Sequence, residues 1–168
     1  MAVQTGRTVS KFVRFLVDDS GGTPREIPVS TINGVGLPYE EVDVTAFQDA
    51  VKGTLSNQPD CTIEVSGPWD STAVAAAAAS AAAPVLSGSH AVLYNLAGAY
   101  TPLGLCICFG VRHYWEAGEP VFGIVTATAA NGFVCTAYNV SPNDMTYSAT
   151  FKVYPGSAAP AWGTAILT

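Results

Sequence analysis

The sequence predicts a single, mainly β domain, namely a β-sandwich or partial barrel with one short flanking α-helix. Apolar and polar residues alternate over residues 11–17 and 61–65, the pattern of strands that bury one face. Turn-forming residues separate several pairs of strand-like segments, which indicates hairpins. The chain has 168 residues, the size of one ordinary domain. We therefore expect one domain over residues 1–168, with an Ala-rich insertion or linker at about 71–87.

The first hairpin is predicted close to the N-terminus. Its first strand covers residues 11–17, and residues 18–22, Asp-Asp-Ser-Gly-Gly, form the turn. Residues 25–29 form the return strand. A further strand is expected at residues 61–65.

One helix is predicted between these strands. Thr45 offers a hydroxyl for the N-cap, and Lys52 followed by Gly53 marks the C-terminal end. The apolar residues at helical spacing are Phe47, Val51 and Leu55. The pattern predicts a short amphipathic helix.

The Ala-rich segment at residues 71–83 leaves two alternatives open. Alanine has high helix propensity but offers almost no side chain for anchoring, so the segment is either a helix or a loop. Its low bulk favours an insertion that joins two halves of the β structure.

Two further hairpins are predicted in the second half of the chain. A long strand at residues 102–115 is followed by a turn at 116–120 and a second strand at 121–127. Residues 132–140 and 145–154 then form a meander of β-branched and aromatic residues around the turn Ser-Pro-Asn-Asp.

The composition favours assembly and disfavours nucleic-acid binding. Hydrophobic residues make up 49% of the chain and charged residues only 12%, so a monomer has few ionic side chains to cover its surface. The net charge is −6, whereas gripping phosphates requires clustered Lys and Arg. Apolar patches and sheet edges on such a chain need a partner, and symmetric self-assembly commonly provides it.

No targeting segment or disulfide is expected. The first residues lack the apolar core of a secretory signal, which favours synthesis in the cytosol, and residues 71–111 are too interrupted by Pro and Gly for a membrane span. The cysteines are Cys61, Cys106, Cys108 and Cys135. Cys106 and Cys108 are two residues apart in a predicted strand, so they share one face and are interpreted as buried apolar residues rather than metal ligands.

The histidines do not predict an enzyme. Ser89 and His90 are adjacent, which cannot by itself give the geometry of a nucleophile and its base, and His90 is interpreted as a residue at the start of a strand. His113 is predicted within a strand, where Glu116 or Glu119 could form a structural pair with it. A small hydrolase using either histidine would require convergence with a carboxylate in a pocket.

Three acidic residues precede the predicted helix: Glu40, Glu41 and Asp43. Such a cluster could bind a hard cation, but the loop lacks the spacing of a calcium-binding loop. Acidic residues at a helix start are also stabilising in their own right. No nucleotide-binding glycine motif occurs, so we predict neither cofactor nor metal.

Several phrases of the sequence resemble the major tail tube proteins of long-tailed, siphovirus-like bacteriophages. The central phrase is Val-Asp-Val-Thr at residues 42–45, preceded by a Tyr/Glu-rich lead and followed by a Lys near the end of the predicted helix. Residues 61–70 then close a strand with Ser-Gly-Pro-Trp-Asp. Similar phrases follow later: Gly-Ser-His at 88–90, Glu-Ala-Gly at 116–118, Tyr-Pro-Gly at 154–156 and Trp-Gly-Thr at 162–164.

The resemblance implies a structural role in the virion. It implies a long hairpin that completes a ring-shaped inner barrel in the oligomer, and hexameric rings that stack into a tail tube, a passive conduit for DNA ejection. The implied partners are other copies of the chain, a tape measure protein, a tail terminator and tail tip proteins, with DNA only in transit and no membrane. The protein would be made in the host bacterial cytoplasm and would reside in the tail of the virion.

A contact surface follows from combining the predicted helix with the acidic cluster. We expect these residues at a subunit or ring-to-ring contact: Glu40, Glu41, Asp43, Thr45, Phe47, Val51 and Leu55. Asp18 and Asp19 are further carboxylates expected near the lumen or that contact. The alternative from another class is a capsid decoration or head-tail joining protein, which would not polymerise into filaments.

Overall fold

The larger of the two main sheets contains the first predicted hairpin. The computed structural model describes residues 6–46, 48, 50–56, 59–80, 84–111 and 113–167. In spatial order, with labels numbered along the chain, the five antiparallel strands are β11 (Ala161–Gly163), β8 (Val121–Ile124), β7 (Leu105–Phe109), β1 (Val13–Asp18) and β2 (Pro24–Glu26). The predicted hairpins are confirmed, because β1 pairs with β2 and β7 pairs with β8.

The smaller sheet packs against the larger one and contains the longest hairpin. Its antiparallel strands, in spatial order, are β3 (Thr31–Asn33), β6 (Thr62–Pro68), β10 (Thr146–Val153) and β9 (Phe133–Ser141). The pairing of β9 with β10 shifts between Thr150 and Phe151, so Thr136 is the extra residue of a β-bulge. The two facing sheets confirm the predicted mainly β sandwich; no closed barrel forms in the described part of the chain.

The main core lies between the two sheets. Phe15 of β1 meets Phe151 of β10 with ring centroids 5.8 Å apart, and both side chains are fully buried. The helix α1 (Ser89–Leu93) closes one side of this core with Val92 and Leu93. Inward-facing residues alternate along β6 and β10, as expected for strands with one buried face.

Strand β1 is buried on both faces, whereas the sequence pattern indicated one. Leu16 points away from the main core into a second apolar cluster that includes Trp115 and Leu167. Cys106 and Cys108 lie in the same cluster, with sulfur atoms 3.8 Å apart, which confirms their predicted burial on one face. All four cysteines are free thiols.

The helix predicted after Thr45 is wrong for the described residues. Instead, β4 (Glu41–Asp43) and β5 (Thr54–Ser56) form a two-stranded antiparallel hairpin. Asp43 Oδ1 accepts hydrogen bonds from the backbone N–H and the hydroxyl of Thr45, a local turn that competes with helical hydrogen bonding. An isolated segment of this length also has marginal helical stability. Phe47, one of the apolar residues at helical spacing and a proposed contact residue, lies outside the described residues.

The Ala-rich segment resolves in favour of a loop where the structure describes it. Residues 71–80 form no helix. They run beside β2, where the N–H of Ala79 donates to the carbonyl of Pro24 at 2.9 Å. The helix propensity of alanine is outweighed here, because backbone groups of the segment form hydrogen bonds to other parts of the chain. In a helix the same groups would bond to one another.

A buried ion pair links β1 to β2. Arg14 donates from Nε and Nη2 to the two carboxylate oxygens of Glu26, at 3.1 and 2.7 Å. The two side chains are only 1% and 5% exposed. Two parallel hydrogen bonds of this kind fix the relative orientation of the two side chains, and the opposite charges neutralise each other. A partner left alone at this site would be an uncompensated buried charge.

We predict that Glu26→Ala destabilises the fold by about 3–5 kcal/mol, because it leaves the Arg14 guanidinium buried without its carboxylate. Urea unfolding at neutral pH measures the change. The control is Lys52→Ala, which removes the exposed pair between Lys52 and Asp43 and should cost far less, because solvent screens an exposed ion pair. Equal losses in the two variants would contradict the structural importance of the buried pair.

Candidate assembly surfaces

The β4–β5 hairpin is closed by side-chain hydrogen bonds rather than by a helix cap. The hydroxyl of Thr45 donates to Asp43 Oδ1 at 2.6 Å and accepts the N–H of Gly53 at 2.9 Å. These bonds to Thr45 hold the pKa of Asp43 below its usual value, and Lys52 adds to the effect. Thr45 therefore holds the two ends of the hairpin turn together. The sequence had predicted that its hydroxyl would cap a helix.

Both strands of the hairpin are exposed along their full length. Val51 is 78% and Leu55 is 63% exposed, and Val42 lies opposite Leu55 across the hairpin. Val44 and Tyr39 are also exposed. In the described part of the chain, the hairpin forms a separate two-stranded sheet. Its apolar side chains are therefore available to another molecule.

The hairpin is also acidic. Glu40, Glu41 and Asp43 are exposed, and Lys52 lies 3.5 Å from Asp43 as a solvent-exposed partner. The structure thus brings together the proposed contact residues that it describes. It arranges them on a hairpin instead of one face of a helix.

The edges of the smaller sheet form a second candidate surface. Strands β3 and β9 are its two edge strands. The start of β9 is covered, because Phe133 exchanges two backbone hydrogen bonds with Leu103. Over residues 138–141, the described backbone pairs with β10 on one side only. An unpaired strand edge is a template for a strand of another chain.

The outward face of the smaller sheet is hydroxyl-rich and carries few charges. On β6 and β10, the side chains on this face are Thr62, Glu64, Ser66, Pro68, Thr146, Ser148, Thr150 and Lys152. Glu64 lies opposite Thr150, and Lys152 lies opposite Thr62. One carboxylate and one ammonium group nearly cancel, so these two strands present no cluster of basic groups for phosphate.

His90 belongs to an aromatic cluster that sequence reasoning missed. The prediction that it starts a strand is wrong, because it lies in α1. Its ring lies 5.3 Å from Trp69, 5.1 Å from Tyr94 and 5.9 Å from Tyr138, and its Nδ1 lies 3.0 Å from the Tyr138 hydroxyl oxygen. Burial raises the pKa of Tyr138. The rings come from three separate segments, namely the residue after β6, α1 with its C-cap, and β9, so the cluster as a whole depends on contacts between distant residues.

Ser89 does not face His90 as a nucleophile would face its base. Its hydroxyl donates to the Pro68 carbonyl and accepts the N–H of Asp70, each at 3.0 Å. These bonds fasten the start of α1 to the end of β6. The adjacent serine and histidine therefore serve different local contacts.

His113 lies in a loop, so its prediction within a strand is wrong. Strand β7 ends at Phe109, and the chain turns so tightly that a Cβ on Gly110 would lie 2.2 Å from the His113 carbonyl oxygen. The predicted pairing with Glu119 is confirmed, at 3.6 Å between Nε2 and Oε1. Glu119 is buried and accepts the N–H of Glu116, so the pair stabilises the loop.

Asp18 and Asp19 both make contacts within their own chain. The Asp18 side chain is buried; its Oδ2 accepts the N–H of Gly104 at 2.8 Å, and its Oδ1 has no hydrogen-bond partner in the described part of the chain. Asp19 binds Arg25 and the turn backbone. Burial raises the pKa of Asp18, and the neighbouring Asp19 adds to the effect. A buried Asp18 cannot face a lumen.

Among the described residues, no group of three or more His, Cys, Asp or Glu side chains could hold a metal ion. The same residues include no helix that is long and apolar enough to cross a membrane.

Solved structures of the anti-feeding prophage and of an extracellular contractile injection system contain chains that share this fold. A chain in the cryo-EM structure of the anti-feeding prophage baseplate, 6-fold symmetrised, matches with a TM-score of 0.59 and 8% identity over 95% of this chain and 97% of that chain. A chain in the sheath/tube terminator of the extracellular contractile injection system PVC, in its extended state, matches at 0.50 and 11% identity, over 96% and 99%. A chain in the tube-terminating cap of the anti-feeding prophage matches at 0.50 and 9% identity, over 98% and 97%.

These identities show a shared fold and nothing finer. No protein-family model and no curated protein matches the sequence. The likeness covers nearly the whole length of each chain, so it concerns the complete sandwich rather than one hairpin.

We predict that the burial of Asp18 destabilises the fold increasingly as pH rises. Its pKa in the folded state is raised above 3.8, so the folded state retains the proton when the unfolded state releases it. The cost is absent below pH 3.8 and grows until the pH passes the folded pKa. Urea unfolding of Asp18→Asn and of the parent from pH 3.5 to 7 should show that the variant becomes more stable relative to the parent as the pH rises. A difference that does not change with pH would contradict this account.

Proposed function

We propose that the protein is a structural subunit of a phage-like tail, forming hexameric rings that stack into a tube. The observation that carries the proposal is the β4–β5 hairpin, which exposes apolar residues such as Val51 and Leu55 outside both sheets of the sandwich. Removing such apolar side chains from water lowers the free energy, and here this requires another molecule to cover them. The hairpin is the proposed ring-to-ring contact.

Ring closure would use the edges of the smaller sheet. Strands β3 and β9 lie on opposite edges of that sheet, so β9 of one copy can pair with β3 of the next. A head-to-tail contact of this kind closes into a ring when the rotation between copies permits it. Closure would remove the exposed strand edges and would make the smaller sheet part of an inner barrel.

In this arrangement the hydroxyl-rich outward face of the smaller sheet lines the lumen. Glu64 and Lys152 are its charged side chains on β6 and β10, and the whole chain carries a net charge of −6. DNA in transit would therefore meet little that retains phosphate. The tube acts as a passive conduit and not as an enzyme.

The other partners would be those of a tail: a tape measure protein, a terminator and tail tip proteins, with the subunit located in the virion. A component of the tube end is the second candidate. It is favoured because two of the structures that share the fold are a sheath/tube terminator and a tube-terminating cap. A head-tail joining or decoration protein belongs to the same group of non-polymerising alternatives.

Electron microscopy of the purified chain separates these candidates. A tube subunit forms hollow filaments of stacked rings at high concentration, whereas an end component forms single rings that do not elongate. A species that stays monomeric by light scattering at high concentration, with a native spectrum, would overturn both.

We predict that Leu55→Ser weakens assembly without unfolding the subunit. Leu55 is exposed in the subunit, so the substitution should change its free energy of unfolding by less than about 0.5 kcal/mol. Burying a leucine contributes about 1.5–3 kcal/mol, so the critical concentration for filaments should rise about tenfold or more.

The matched control is Tyr100→Ser, which removes another exposed apolar side chain far from the hairpin in sequence. It should assemble at the concentration of the parent in sedimentation assays. If Leu55→Ser assembles as readily as both, the hairpin is not the contact.

A further inference from the structure

The Ala-rich strap, defined as residues 71–80 and 84–87, covers the open side of β2. Strand β2 is an edge strand of the larger sheet. The N–H of Ala79 donates to the Pro24 carbonyl at 2.9 Å, and the N–H of Ser87 donates to the Glu26 carbonyl at 2.8 Å. Leu86 also forms a parallel bridge with Glu26. The strap therefore occupies the backbone acceptors that an added strand would use.

Two arginines hold the strap in place. Arg25 Nη1 donates to the carbonyls of Ala75 and Ala77, at 2.7 and 3.2 Å, while its Nε donates to Asp19. Arg14, the partner of Glu26, donates from Nη2 to the carbonyl of Ser80 at 2.9 Å. Charged donors thus bind main-chain carbonyls, a contact that does not depend on the side chains of the strap.

The strap has little apolar anchoring of its own. Ala79 is buried in the second apolar cluster and Val74 packs partly against the main core, but most residues from 71 to 80 are exposed. Segments with few buried apolar contacts open at low free-energy cost. Hydrogen bonds therefore carry most of the attachment.

The opposite edge of the larger sheet is limited in a different way. Strand β11 has three residues, and the ring of Trp162 packs at a tilt against the rings of Phe109 and Phe122. The larger sheet is therefore covered by the strap at one edge and ends in the three-residue β11 at the other, whereas the long edge strand β9 of the smaller sheet has no second partner over residues 138–141 in the described part of the chain.

We propose that the strap is a releasable cover of the β2 edge, which restricts strand pairing between copies to the smaller sheet. Arg25 is its principal clip, because it binds two carbonyls of the strap. This inference does not require tubes: it concerns which edge of the dispersed subunit is closed.

The test measures amide hydrogen exchange of Ala79 and Ser87 by NMR in the dispersed subunit. Both amides should be protected in the parent and should exchange about tenfold faster or more in Arg25→Gln. Asp19→Asn tests the loss of the Asp19 contact while retaining Arg25, and Arg7→Gln removes a cation at an exposed position. Both controls should leave the two amides protected. Unprotected amides in the parent, or unchanged exchange in Arg25→Gln, would overturn the proposal.

A second measurement tests the consequence of opening. In a Leu55→Ser background, which disables the proposed hairpin contact, Arg25→Gln should associate into irregular species at concentrations where Leu55→Ser alone stays dispersed. Arg25→Lys keeps the positive charge but lacks the planar guanidinium group that holds both carbonyls. In the same Leu55→Ser background, this variant should also associate. If exchange shows that the strap opens while both double variants remain as dispersed as Leu55→Ser, the strap is not an edge cover. Failure of tube formation in the parent would leave this result unaffected.

Discussion

Strand β1 is covered on both faces, and this burial determines how the rest of the larger sheet is organised. Phe15 and Val17 fill the space between the sheets, while Leu16 requires a second layer on the outside. That layer is assembled from distant pieces of chain, which include Trp115, Ala79 and Leu167. Arg14 lies in the same strand, so its charge must be neutralised where water does not reach. The pair with Glu26 meets this requirement and joins the hairpin to the strap.

The molecule divides its surface between protected and available elements. The larger sheet has its β2 edge covered by the strap and presents only a short strand at the other edge. The smaller sheet and the β4–β5 hairpin carry the exposed strand edges and apolar side chains. This division fits a composition with few charged residues, because the surface that needs covering is concentrated on a few elements.

Structural features that depend on residues close together in the sequence could be predicted, whereas features that depend on contacts between distant residues could not. The three predicted hairpins and the burial of Cys106 and Cys108 depend on alternation and turns, which are local. The helix after Thr45 failed because the Asp43 and Thr45 side chains bond to a local turn, and helical spacing alone does not reveal that competition. The aromatic cluster around His90 and the path of the strap depend on contacts between remote segments. The residues proposed for the contact could be grouped by their apolar and acidic character, but the hairpin that carries them was not visible in the sequence.

The bulge at Thr136 would affect the geometry of the proposed ring. Its hydroxyl bonds to the carbonyl of Thr150, and bulges of this kind bend a strand and increase its local twist. In a ring built by joining copies side by side, the curvature of each copy contributes to the circumference. In the proposed ring, one unpaired residue in β9 would therefore contribute to the diameter of the bore, and related chains that gain or lose it would enclose channels of different width.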